Sequence, residues 1–247
     1  MYLLFAPGKR PTRAAINSFV ENQAATSIAH DPLALETSEQ DPNHSASHWV
    51  ELLRDGLTFD LDGLLPGDAC AFPVPQHLFD LGQNSDPRQL EALKLLPGSH
   101  LAGAATVMPV ARGMMALARD LVRHFVDAEA VIWPPSESAI GRQFFESSIT
   151  AWLEGGPFPA LGLIAYREVE GGSLQTVGLD YWIGQELRLE ASLTADKVHA
   201  TRLGVRIVNQ LVLIGKLEQS ERVIGPDGAH LLLRPSTDRK LVHVSSG

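Results

Sequence analysis

The sequence predicts an α+β protein, with a mixed, mainly antiparallel sheet and long helices packed on one face. Three observations predict it. Strand-like runs come in adjacent pairs split by turn residues, as at Gly171-Gly172 and Pro226-Asp227-Gly228. Two long segments, near 110–125 and 195–214, repeat apolar residues at helical spacing. Strands and helices do not alternate strictly, as a parallel α/β sheet requires.

Residues 1–97 are irregular in texture. They hold the turn signals Asp31-Pro32, Asp41-Pro42, Pro66-Gly67, Asp86-Pro87 and Pro97-Gly98. Either they cover one side of the main sheet or they form a small separate domain. The lack of a flexible linker favours one domain over 1–247, irregular over residues 1–97 and regular over residues 98–247. In the regular segment, His100 to Met108 is small, apolar and uncharged, which predicts a buried strand. Pro109 opens a helix whose face is Val110, Met114, Leu117, Leu121, Val122 and Phe125. Ala130 to Trp133 is a short strand stopped by Pro134-Pro135. A second helix runs from about Ser138 to Glu154, burying Phe144, Phe145, Ser148, Ile149 and Trp152, and Gly155-Gly156 ends it.

A hairpin follows, Leu161 to Val169 and Leu174 to Trp182, turning at Gly171-Gly172. Glu186 to Glu190 alternates as a half-buried strand. Thr194 is the expected N-cap of the longest helix, Ala195 to Ile214, and Gly215 its stop. Val198, Leu203, Ile207, Val208, Leu211 and Val212 are its expected buried stripe. Gly204 inside this helix costs ~1 kcal/mol against Ala, which points to a close neighbour. Glu221 to Ile224, His230 to Arg234 and Leu241 to Val244 close the chain as a meander.

Composition narrows function. The chain has 247 residues, and 29 Asp and Glu against 20 Lys and Arg give a formal net charge of −9. Such a chain repels a phosphate backbone, and Lys9, Arg10 and Arg13 are its densest basic group, so nucleic acid is not an expected partner. No stretch approaches the ~20 apolar residues of a membrane span. The short apolar run at the N-terminus precedes its positive charges, unlike a secretory leader. Cys70 is the single cysteine, which suits a reducing compartment, and the expected location is the cytoplasm.

Two groups within residues 1–97 carry possible chemistry. Phe59-Asp60-Leu61-Asp62-Gly63-Leu64-Leu65 resembles the first motif of haloacid-dehalogenase-like phosphatases. That resemblance would make Asp60 a nucleophile, Asp62 an acid and Mg²⁺ the metal. The sequence departs from it in three ways. Leu64 replaces the usual Thr, Leu65-Pro66-Gly67 breaks the helix that should follow, and no later acidic pair completes the metal site. The plainer reading is a strand running into a turn. His30, Asp31, Asp41, His44 and His48 form the second group. His44 and His48 stand at metal-ligand spacing for a helix, but Ser45 replaces the Glu of the zincin pattern and Asp41-Pro42-Asn43 looks like a turn. No metal site is assigned. There is no nucleophile elbow and no phosphate-binding glycine loop, so no cofactor is expected. Cys70 lies between alanines with no basic neighbour, as a small buried residue would.

Aromatic side chains concentrate between Trp133 and Trp182. Trp133-Pro134-Pro135-Ser136 ends a strand, where pockets open in mixed sheets, and Glu186 falls near the neighbouring strands. Trp133, Ser136, Tyr181 and Glu186 are therefore the candidate ligand-binding residues. The competing reading is core packing with polar tips at the rim.

The stretches Ala130-Val131-Ile132-Trp133, Thr176-Val177-Gly178-Leu179 and Gly184-Gln185-Glu186-Leu187-Arg188-Leu189 resemble an uncharacterised bacterial family, number 4261 among the domains of unknown function. The resemblance covers about residues 98–245. It implies an α+β domain in the bacterial cytoplasm and no reaction. With no complete catalytic constellation, the leading expectation is a non-enzymatic binding or protein-interaction domain, with an unknown protein or small molecule as partner. A homodimer is one form of this, with a paired hairpin or a face of the last helix as the natural interface. The alternative is a metal-dependent, phosphatase-like hydrolase that uses the acidic and histidine groups of the N-terminal segment.

Overall fold

A computed structural model describes residues 1–32, 48–82, 86–225 and 228–247. The chain divides into two compact units, Met1–Trp133 with Ala139–Gly155, and Pro134–Ser138 with Gly156–Gly247. The α+β class holds, carried by two mostly antiparallel sheets where the sequence reading expects one.

The first unit is built from β1 (Tyr2–Phe5), α1 (Arg13–Glu21), β2 (Thr26–His30), β3 (Trp49–Arg54), β4 (Leu57–Asp62), β5 (His77–Phe79), β6 (Glu91–Pro97), α2 (Met108–His124), β7 (Ala128–Trp133), β8 (Ser138–Gly141) and α3 (Arg142–Leu153). Its sheet runs β2-β3-β4-β6-β1-β7-β8-β5. β1 lies between β6 and β7 and is antiparallel to both, with Leu3 opposite Leu93 and Val131. Leu3, Leu4 and Phe5 are wholly buried. β3 and β4 form a hairpin through Asp55-Gly56, both at positive φ, the backbone that a tight two-residue turn demands. α2 packs on β4 and β6, α3 on β7, and the two helices on each other.

Residues 1–97 therefore supply six of the eight strands, β1 to β6. Their irregular texture reflects short strands separated by Pro and Asp turns. The strand expected at His100 to Met108 is absent. Ser99–Ala104 is a 3-10 turn and α2 begins at Met108, while the strand there is β6, just upstream. Ala102, Gly103, Thr106 and Val107 are exposed. A small, uncharged run without β-branched weight does not hold a strand against solvent. α3 begins at Arg142, later than expected, because Ser138–Gly141 pairs as β8.

The second unit holds α4 (Ala160–Leu163, a short turn broken at Leu161 and Gly162), β9 (Ala165–Glu168), β10 (Leu174–Val177), α5 (Asp180–Ile183), β11 (Glu186–Leu189), α6 (Lys197–Ile214), β12 (Glu221–Ile224), β13 (His230–Pro235) and β14 (Leu241–Ser246). Its sheet runs β12-β13-β14-β11-β10-β9, with β11 and β14 parallel and the other pairs antiparallel. Gly171 and Gly172 turn the β9–β10 hairpin at φ of 80° and 79°. α6 packs on β11. A Cβ on Gly204 would lie 2.6 Å from the Tyr166 ring, so the glycine admits the close approach its position implied. The N-cap of α6 is Asp196, which accepts from the N–H groups of Val198 and His199. Thr194 instead donates to the Gly172 carbonyl at 2.6 Å. Among the described residues no helix is long and apolar enough to cross a membrane.

Candidate functional site

Three of the four candidate binding residues meet around one turn of the second unit. Gly178 stands against Pro135 and the Ser136 backbone, so closely that a Cβ would lie 2.8 Å from them. Its N–H donates to Glu186 Oε1 at 2.7 Å. The N–H groups of Leu179 and Asp180 reach the same carboxylate at 3.3 and 3.4 Å, and the Thr176 hydroxyl donates to it as well. Burial raises the Glu186 carboxyl above the usual range, against the pull of the Thr176 and Gly178 bonds, and the Asp180 carboxyl adds to the rise. With these donors engaged, the carboxylate works as a staple that fixes the β10–α5 turn, not as a free ligand.

Ser136 is fully buried and its hydroxyl bonds Ser138 Oγ at 2.9 Å and the Gly162 carbonyl at 3.3 Å. Tyr181 is half-buried, its ring 5.1 Å from that of Trp182, which stacks edge-on with Phe158 at 4.9 Å. Burial pushes its phenol up to about 12. Trp133 belongs to the first unit, as the buried end of β7.

The acidic motif lies on β4 and its exit. Asp60 stands opposite Glu51 on β3, and burial, Glu51 and Asp62 raise its carboxyl while His100 opposes them. Asp62 accepts the Gly63 N–H at 2.8 Å. No helix follows. The exit loop is held by the buried Arg10 guanidinium, which donates to the carbonyls of Gly63 and Gly67 and pairs with Glu91 at 2.8 Å. Of the histidine group, Asp41 and His44 lie outside the described residues. His30 packs on Trp49, Asp31 pairs with Arg13, and His48 packs against Gly67. Among the described residues no three His, Cys, Asp or Glu side chains could hold a metal ion together. Cys70 is half-buried, and burial and Asp62 push its thiol up, away from a reactive thiolate.

The surface that sequence reasoning missed is the outer side of α6. Val198, expected inside, is 61% exposed. The buried face is Ala200, Leu203, Gly204, Ile207, Val208 and Leu211. Val198, Thr201, Arg202 and Val205 turn the other way and, with Lys197 and Leu161, line a groove of about 440 Å³. The signal was present: Val198, Val205 and Val212 stand seven residues apart, two helical turns at each step. Reading the valines and the core residues as one stripe puts Val198 on the wrong face.

No protein-family model, curated protein or solved structure matches the chain.

Proposed function

We propose that this is a cytosolic, non-enzymatic interaction protein and that the α6 groove is its binding surface. The observation that carries the reading is an apolar groove of about 440 Å³ on a long, well-packed helix, with Val198 and Leu161 at 61% and 38% exposure. Contiguous exposed apolar surface rimmed by charge marks interaction sites more often than it marks accident. The inner face of α6 is used by the core, Val205 is half-buried, and Val198 stands exposed beside it. Kinship with the family number 4261 belongs to this proposal and rests on the three stretches that resemble it.

A neutral apolar dye such as Nile red tests the groove as a surface. Binding with enhanced emission is expected, and loss of that emission in Val198→Asp. Emission unchanged by Val198→Asp would remove the groove from the account. Native mass spectrometry of the same preparation tests the hydrolase alternative. A bound divalent ion lost on Asp60→Asn would overturn the non-enzymatic reading.

A further inference from the structure

Resting on that reading, we infer that the occupant of the α6 groove is an acidic amphipathic helix of a partner protein. From residue 197 to 214, α6 carries Lys197, Arg202 and Arg206 and no Asp or Glu, in a chain whose net charge is −9. Lys197 is paired with Glu168 at 2.6 Å. Arg202 and Arg206 are exposed and form no salt bridge among the described residues. The groove is thus an apolar stripe bordered by Arg202, within electrostatic reach of Asp196, and by Lys197, held by Glu168, with Arg206 further along the same helix outside the lining. A carboxylate-flanked apolar stripe complements it in both respects.

The same charges argue against the other occupants. A second copy pairing through α6 would bring the same cations and no acidic residue of that helix to pair with them, a less complementary match than an acidic partner. A membrane surface is a poor match. The stripe is valine without an aromatic anchor, and three cations fall short of a polybasic surface. The spacing suits a helix, since valines at seven-residue intervals offer holes for the knobs of an adjacent helix. The groove lining runs along α6 from Lys197 to Val205, ~12 Å or about two helical turns, so about two to three turns of a partner helix cover it.

The test uses the full chain and two labelled 18-residue peptides. Both carry leucines at i, i+3, i+4 and i+7. One is flanked by glutamates and the other by lysines. Fluorescence anisotropy should show the glutamate peptide binding at least ~10-fold more tightly at low salt, with the gap closing as salt screens the charges. Arg202→Glu with Arg206→Glu, both on exposed positions, should reverse the preference. Val198→Asp should abolish binding of both peptides while the circular dichroism spectrum and melting temperature stay put.

Equal affinity for the two peptides would overturn the acidic-partner inference and leave the groove standing. Binding unaffected by Val198→Asp would overturn the groove. A dimer in sedimentation that Val198→Asp dissolves would assign the groove to a second copy. Flotation with phosphatidylserine vesicles, without peptide binding, would assign it to a membrane surface. No binding of any probe up to about 100 µM, in a folded monomer, would overturn the inference and the interaction reading together.

Discussion

At the scale of single residues, the molecule spends its polar groups on holding turns and helices in place. Arg54 and Asp120, each 7% exposed, form a buried ion pair that Thr26 and Arg119 complete, at 3.2 and 2.6 Å. Asp120→Ala takes away the buried partner of the guanidinium, leaving it Thr26 and the exposed Asp55 at 3.6 Å, and a urea titration should show a loss of about 3 kcal/mol. Glu186 closes the β10–α5 turn in the same manner. Glu186→Ala strands buried N–H donors and should cost about 1–3 kcal/mol, with no change in peptide affinity if the site is the α6 groove. Tyr166 shows the opposite case. Its hydroxyl is buried without a hydrogen-bond partner among the described residues, and burial with the nearby Glu186 charge raises its ionisation far above the ordinary range. Tyr166→Phe should therefore leave stability equal or raise it by up to about 1 kcal/mol. Gly204→Ala drives a methyl into the same ring and should cost about 1–3 kcal/mol. Combining it with Tyr166→Ala should cost less than the two added separately, because losing the ring removes the methyl's clash and the methyl occupies part of the space the ring leaves.

At the scale of elements, what the sequence made legible was set by length and by punctuation. α2, α3 and α6 are long enough for a 3.6-residue period to repeat several times, so their existence and most of their core residues could be read, with Phe144 and Ser148 of α3 only half-buried and Val198 of α6 exposed. The β9–β10 hairpin announces itself through Gly171-Gly172. The strands of residues 1–97 are as short as three residues at β5, and so many turn signals among them look like irregularity. Asp55-Gly56 between alternating runs was a readable hairpin signal, since Asp-Gly is favoured where both central residues need positive φ. The pairing of β1 between β6 and β7 joins residues about 90 to 130 apart and leaves no local trace. The candidate site was legible only in part. Ser136, Tyr181 and Glu186 do converge, but nothing in Glu186's neighbours announces that Gly178, Leu179 and Asp180 would turn their N–H groups toward it. For α6, periodicity revealed the apolar residues but not that they divide between two faces.

At the scale of the whole molecule, charge governs behaviour. The α-amino group of Met1 donates to the Leu95 carbonyl at 2.9 Å from a buried position, and burial, with Lys94 adding, lowers its pKa to about 5 from 8.0. The folded state thus holds the amine neutral while the unfolded state protonates it below pH 8. Stability should fall as pH falls from 8 to 5 and then level off for this group, by up to about 4 kcal/mol. Urea titrations at pH 5, 6.5 and 8 check the direction. The net negative charge also sets the basic outer face of α6 apart from its surroundings, and that contrast makes the groove a site for an acidic partner. Methyl NMR on the full chain during titration with the glutamate-flanked peptide tests this most directly. Saturable shifts are expected at Val198 and Val205, with Val131 and Val244 in the two cores unmoved. Shifts absent from α6, or centred instead on the Glu186 turn or the Asp60 strand, would contradict it.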